Sequence, residues 1–269
     1  MSRVAIIAGA GRLPAAVAAH LDAPMVCAVE GFAPQGIRPD LTFRVERLVP
    51  FFRALEEAGV TTVTFAGAVQ RPRLDPALFD PDTAQLVPRL LAAMQQGDDA
   101  TLREVIALFV EFGFAIAGTA EVAPDLVPAE GVFAGALTPA LEKDASRAAA
   151  IVDALGRADV GQGCVVVQGL CLAVEALPGT DAMLAGVAML PEALRPDPAR
   201  GKGLFYKAPK PGQDTRIDLP TIGPATVLAA AKAGLGGMVW QAGGVICLDL
   251  PEMVQRAGEL GLTLWARPS

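Results

Sequence analysis

The sequence predicts a two-domain α/β protein, and three observations carry that expectation. Its 269 residues exceed the roughly 100–200 usual for one domain. Hydrophobic residues make up 52% of the chain but aromatics only 5%, so the apolarity resides in Ala, Val and Leu. That composition suits helices packed on a largely buried sheet. The first half also alternates β-branched runs with helical stretches, the βαβα order that gives a parallel sheet covered on both faces.

Taken in order, Arg3–Ala8 reads as a buried strand leading into Gly9-Ala10-Gly11-Arg12-Leu13-Pro14. An alanine-rich helix then runs to about Leu21, with Pro14 tolerable in its first turn. Pro24–Val29 is a second strand, Phe51–Gly59 a helix ended by its glycine, and Thr61–Phe65 a third strand. Gly67-Ala68-Val69-Gln70-Arg71-Pro72 is the loop at that strand's C-terminal end. Gly97-Asp98-Asp99 caps a periodic helix over Ala100–Phe112. Proline and glycine interrupt the periodicity between Ala123 and Pro139, which places the domain boundary near residue 132 and the domains at 1–132 and 133–269. The second half opens with a long helix, about Ala140–Gly156, followed by strands at Cys164–Val167 and Leu172–Glu175. A helix begins near Gly179-Thr180-Asp181, and a strand at Leu204–Lys207 runs into a polar loop, Ala208–Asp218. Helix Thr226–Ala233, strands Met238–Gln241 and Val245–Leu248, helix Glu252–Leu260 and a last strand complete an α/β half of less familiar order.

Several function classes are disfavoured. A net charge of −7 argues against nucleic acid, which requires a concentrated cationic face. No run of about 18 apolar residues free of charge or proline exists to span a membrane, and the N-terminal apolar stretch is too short for a signal peptide. The single histidine, His20, lies in an Ala-rich stretch and reads as a helix-surface residue, leaving no evident Ser-His-Asp triad. Cys27, Cys164, Cys171 and Cys247 are scattered without metal-ligand spacing, so they read as buried, reduced thiols of a cytoplasmic protein.

Four segments can carry chemistry. Gly9-x-Gly11 feeds a helix start, where backbone N–H groups and the helix dipole favour an anion. Pro14 stands where the dinucleotide fingerprint needs its third glycine, so a Rossmann-like domain taking a nucleotide diphosphate fits the loop as well as NAD does. A plain tight turn is the structural alternative. Asp98 and Asp99 can cap a helix, bond a ribose or help hold a metal. Glu175 and Thr180-Asp181 bracket a strand end and a helix start. The densest segment is Lys207-(x2)-Lys210-(x2)-Gln213-Asp214-x-Arg216-x-Asp218, a proline-stiffened loop whose cations can neutralise phosphate and whose carboxylates can hold Mg²⁺. A solvated loop of alternating charge is its bland counterpart.

Together, Gly9-x-Gly11-x-Leu13-Pro14, Gly97-Asp98-Asp99, Glu175-(x3)-Gly179-Thr180-Asp181 and Gln213-Asp214-x-Arg216-x-Asp218-Leu219-Pro220-Thr221-Ile222-Gly223 resemble the LpxI-type UDP-2,3-diacylglucosamine pyrophosphatases of lipid A biosynthesis. The likeness runs through essentially the whole chain. The resemblance implies two domains with the ligand between them and Mg²⁺-dependent hydrolysis at the β-phosphorus. It further implies UMP and 2,3-diacylglucosamine 1-phosphate as products, in the cytoplasm at the inner membrane of a Gram-negative bacterium. On this reading the metal is held by carboxylates drawn from Asp214, Asp218 and an aspartate missing at residue 225, with Asp181 or Glu175 able to take the place of any of them, and Lys207, Lys210 and Arg216 screen phosphates. The Gly9–Gly11 loop, with Leu13, Pro14, Asp98 and Asp99, would engage the nucleotide, and apolar walls around Leu170–Leu184 would accept acyl chains. The family pattern has an acidic residue just before Thr226, whereas this chain has Ala225 there, so Ala225 is expected to replace a metal-binding or catalytic aspartate and to impair turnover; natural variation at a helix cap is the bland alternative. Peripheral membrane attachment and a homodimer are further expectations. A non-catalytic binder of a lipid-linked nucleotide and an NAD-dependent oxidoreductase are the alternatives.

Overall fold

A computed structural model describes residues 3–69 and 74–268, and the side chains of Asp98 and Asp99 are outside that description. Gln70, Arg71 and Pro72 of the expected loop lie outside it too. The described chain forms two compact units, residues up to Pro124 with Asp214–Asp218, and Asp125–Gln213 with Leu219 onward.

The first unit has strands β1 (Arg3–Ala8), β2 (Met25–Val29), β3 (Leu41–Phe43), β4 (Val60–Ala66) and β5 (Ala115–Ile116). All pairings are parallel, in the order β3-β2-β1-β4-β5. This is the doubly wound, Rossmann-like arrangement, with its reversal of direction between β1 and β4. Its helices are α1 (Leu13–Ala18), α2 (Leu48–Glu57), α3 (Pro81–Ala84), α4 (Val87–Met94), α5 (Asp98–Glu111) and α6 (Thr119–Val122). Ala5, Ile7, Val63 and Cys27 meet a phenylalanine cluster of Phe43, Phe51, Phe52, Phe109 and Phe114. Aromatic residues are therefore few but concentrated in one core.

The second unit has β6 (Gly131–Ala134), α7 (Pro139–Arg157), β7 (Gly163–Val167), β8 (Leu170–Val174), α8 (Gly179–Ala188) and β9 (Leu204–Lys207). It continues with β10 (Thr221–Ile222), α9 (Pro224–Lys232), β11 (Gly237–Gln241), β12 (Ile246–Cys247), α10 (Leu250–Leu260) and β13 (Thr263–Arg267). Six strands form a mixed sheet in the order β6-β13-β11-β9-β7-β8; β9, β11 and β13 run parallel, while β7 and β6 oppose them at the flanks. β10 and β12 make a separate parallel pair. Strand alternation sorts the side chains. Cys164, Val166, Leu204 and Tyr206 pack with α7 through Leu141, Ala145, Ala148 and Val152. Val165, Val167 and Phe205 pack on the opposite face with Leu184, Val227 and Met253 from the other helices. By the same period-two rule Lys207 is carried to the α8 side.

Three local expectations change. The first helix stops at Ala18 rather than about Leu21, because His20 N–H bonds back only three residues to Val17 and Ala23 turns left-handed at φ 44°. Helix α5 starts at Asp98, with Gly97 as its N-cap, so the two aspartates are its first helical residues rather than its cap. Three of the cysteines are buried as expected, but Cys171 is exposed. Burial pushes the Cys27 thiol up to about 12 and raises Cys164 and Cys247 as well.

Candidate functional site

In the first unit the glycine loop after β1 meets the loop after β4, at the point where sheet order reverses. Gly9 N–H donates to Ala66 O at 2.8 Å, and Ala10 and Ala68 exchange a pair of hydrogen bonds at 2.8 and 3.0 Å. A Cβ at Gly9 would lie 2.6 Å from Ala68 O, and one at Gly67, where φ is +95°, would lie 2.8 Å from Ala10 O. Both glycines are therefore required by the close approach of two backbones. Gly11, also left-handed at φ 95°, bridges to Pro34. Leu13 and Pro14 open α1, with Pro14 buried. The helix that the glycine loop feeds, α1, spans six residues.

In the second unit the structure brings Lys207 to Glu175 and Thr180, two segments that the sequence offers separately. Lys207 Nζ donates to Glu175 Oε1 and Oε2 at 2.8 and 2.6 Å and to Thr180 Oγ1 at 2.7 Å. Thr180 Oγ1 donates to Glu175 Oε2 at 3.0 Å. The Lys207 and Glu175 side chains are 5% and 12% exposed, so the triangle ties the ends of β8 and β9 to the start of α8 in a largely dry setting. Gly163 makes the room, because a Cβ there would stand 2.7 Å from Glu175 Oε2. Gly179, at φ 84°, supplies the left-handed turn into α8, and Asp181 sits exposed in the first turn, where its charge complements the helix dipole.

The loop that follows Lys207 is pinned in two stages. Ala208 N–H bonds to Gln162 O at 3.0 Å, and Gln213 Oε1 accepts from Gln162 Nε2 at 2.8 Å and from Lys210 N–H at 2.9 Å. Lys210 Nζ pairs with Asp159 at 2.6 Å. Pro209 and Pro211 lie so close to Gly244 and Gly156 that a Cβ on either glycine would clash, at 2.9 and 2.6 Å. Beyond Gln213, Asp214 Oδ1 accepts from Arg216 N–H and Nε, both at 3.0 Å, and Oδ2 from Nη2 at 2.6 Å. The Arg216 side chain holds the Asp214 carboxyl below the usual aspartate range, so it is ionised at neutral pH. An Asp218 N–H bond to Asp214 O at 3.4 Å closes one turn between the two aspartates. Gly118 accommodates the backbone of Arg216, whose Cα would be 3.1 Å from a Cβ there.

The three basic residues of this loop region are thus each paired with a carboxylate, rather than standing ready for phosphate. Lys207 is a buried strut, whereas Arg216 is half exposed. Ala225 is exposed at the second position of α9 and offers no donor atom. Among the described residues no three or more His, Cys, Asp or Glu side chains cluster as a metal cage. Mg²⁺ nevertheless is often held by one or two carboxylates together with substrate phosphates. Asp214 and Asp218 lie a turn apart on one loop, and Arg216 at present engages both oxygens of Asp214. Sequence reading missed Gln162, Asp159, Gly118 and Gly163, which act by holding or admitting loop residues. Their roles depend on tertiary neighbours and leave no local motif.

The parallel sheet and the mixed sheet, each with conformationally demanding loops at its strand ends, define a two-domain Rossmann-like α/β protein. Family models agree over nearly the full length: that of the LpxI N-terminal domain matches residues 3–126, and that of the LpxI C-terminal domain matches 129–265. The chain belongs to the LpxI family. It is 41% identical, over 97% of its own length and 96% of the relative's, to the UDP-2,3-diacylglucosamine pyrophosphatase LpxI of Caulobacter vibrioides.

Proposed function

We propose that this protein hydrolyses the pyrophosphate of UDP-2,3-diacylglucosamine, in lipid A biosynthesis, to UMP and 2,3-diacylglucosamine 1-phosphate. The observation that carries the reading is the 41% identity extending over both domains to a relative of that name. The chemical problem is charge. A pyrophosphate repels a nucleophile, so catalysis needs neutralisation, a held water and stabilisation of the departing phosphate.

Asp214 and Asp218 are assigned to hold Mg²⁺, which would polarise phosphate oxygens when bound. Arg216 and Lys210, on flexible and partly exposed side chains, exchange their present carboxylate partners for phosphate oxygens. The Lys207–Glu175–Thr180 triangle positions the start of this loop, and Gln213 fixes its middle through Gln162. The Gly9–Gly11 loop with Leu13, Pro14, Asp98 and Asp99 engages the nucleotide. Acyl chains lie on the exposed apolar residues Leu170, Val174 and Leu177, the last 99% exposed; Met183 and Leu184 are buried and belong to the core. Each methylene covered contributes roughly 0.8 kcal/mol. Attack at the β-phosphorus transfers water oxygen to the sugar phosphate and releases UMP.

Ala225 is assigned as the position of a missing carboxylate, which leaves turnover slow. Ala225→Asp is expected to raise kcat by about 10²–10³-fold, the usual range for a charge-stabilising group, with little change in substrate affinity. The test follows substrate by ³¹P NMR while Mg²⁺ is titrated, for the wild type and Ala225→Asp. UMP formation that requires Mg²⁺ supports the assignment, equal rates remove the role of residue 225, and activity unchanged by chelator removes the metal. Among the described residues no helix is long and apolar enough to cross a membrane. Contact with a lipid substrate would then be peripheral, from the cytoplasmic face, and a homodimer is compatible with the assignment.

A further inference from the structure

A cavity of about 440 Å³ opens in the second unit, at the end of the sheet away from Lys207. Three strand starts line it. Gly203 precedes β9, Gly236 precedes β11, and Thr263 begins β13, all at the N-terminal ends of the parallel strands. Lys207 closes β9 four residues later, about 13 Å away at the usual strand rise. The cavity is therefore separate from the loop assigned to catalysis.

Three cationic side chains line it, Lys143, Arg200 and Lys202, and all three residues are exposed. Among the described residues none of them has an ion-pair partner. The one carboxylate in the lining, Asp144, is buried, and its two oxygens accept from Gln168 and Gly169 N–H at 2.9 and 2.7 Å. It fixes the β7–β8 turn and does not neutralise the lysines. The rim is stapled as well, since Gln168 Nε2 donates to Asp197 O and Gly201 O at 2.6 and 3.0 Å. The first turn of α7 completes the wall through Thr138, Ala140 and Leu141, bringing the positive end of a 19-residue helix to the same space. In a chain of net charge −7, such a gathering of unneutralised cations around one concave space selects an anion.

We propose that this cavity is a second ligand site that binds a phosphate group, either free or on an anionic lipid headgroup. Arg200 and the two lysines supply the positive charge and the N–H donors that phosphate oxygens take. Binding here does not require the hydrolytic assignment to be correct.

Two probes test it on the intact protein without the nucleotide substrate. Inorganic phosphate is titrated by calorimetry at constant ionic strength, and cosedimentation is measured with phosphatidylcholine vesicles with or without phosphatidylglycerol. Wild type is compared with Lys143→Ala/Lys202→Ala and with Ala199→Glu, which puts a negative charge into the lining at an exposed position. Circular dichroism verifies that both variants are folded. A loss of phosphate affinity of roughly tenfold or more in both variants supports the site with free phosphate as ligand. Loss of phosphatidylglycerol-dependent sedimentation alone supports it with a headgroup as ligand. Variants that match the wild type with both probes overturn it, whether or not the protein turns over substrate.

Discussion

The loop after β1 and the loop after β9 both leave parallel strands at their C-terminal ends, yet they are held by opposite means. The first is held by backbone: Gly9 and Ala10 pair with Ala66 and Ala68 across the reversal point, and Gly9 and Gly67 are needed because a Cβ on either would collide. The second is held by side chains: Lys207, Lys210 and Arg216 are each bonded to a carboxylate, and Gln213 accepts from Gln162 and from Lys210 N–H. A backbone clasp fixes shape without fixing charge. Side-chain pairs fix the loop and also store charged groups that a phosphate can recruit.

The largest effect is expected at the buried triangle. Glu175→Ala leaves the Lys207 ammonium without its carboxylate and should cost about 3–5 kcal/mol, read as a fall in urea midpoint. Glu175→Gln should recover part of it, since Gly163 still leaves space for the side chain. Next is the backbone clasp. Gly9→Val drives a side chain into the 2.6 Å gap to Ala68 O and should cost about 1–3 kcal/mol as an overpacking change. If Gly9→Val proved neutral, the clasp would not be the device that shapes the first loop.

Those two sites also show how differently structure is written into sequence. The three central strands of the first sheet were legible because they are apolar or β-branched runs, and a βαβα order has few topologies open to it. β3, β5 and β6 escaped notice because strands of two to four residues carry too little periodicity to separate from loop. Glu175, Thr180 and Lys207 could each be singled out as polar residues at element ends. Their meeting depends on β8, β7 and β9 lying side by side, which local pattern does not encode. The charged loop was legible as a composition. That its cations are already paired was not, because Asp159 lies far upstream and looks like any surface aspartate.

Two smaller effects sharpen the contrast. Gln162→Ala removes the amide that holds Gln213 and should cost about 1 kcal/mol, with kcat falling more than stability as the second loop loosens. The same change should leave the first loop untouched, which amide exchange of Ala10 and Ala68 can report. The smallest effect is the pH response of the Asp214–Arg216 pair. Because Arg216 lowers the folded carboxyl below its ordinary value of 3.8, the pair stabilises above that pH and its contribution is lost as pH falls through the depressed folded value. The pair is partly exposed, so screening keeps its contribution small. NMR titration of the Asp214 side chain should show no change between pH 8 and about 5; a midpoint in that interval would mean that Arg216 does not hold the carboxyl as described.

The central claim is hydrolysis of a lipid-linked nucleotide pyrophosphate, and turnover in ¹⁸O-enriched water addresses it most directly. The purified wild type and Ala225→Asp are incubated with UDP-2,3-diacylglucosamine and Mg²⁺, and products are resolved by mass spectrometry. The account predicts label in 2,3-diacylglucosamine 1-phosphate, unlabelled UMP, and faster formation of both by Ala225→Asp. Intact substrate in both reactions, from protein shown to be folded, would contradict it.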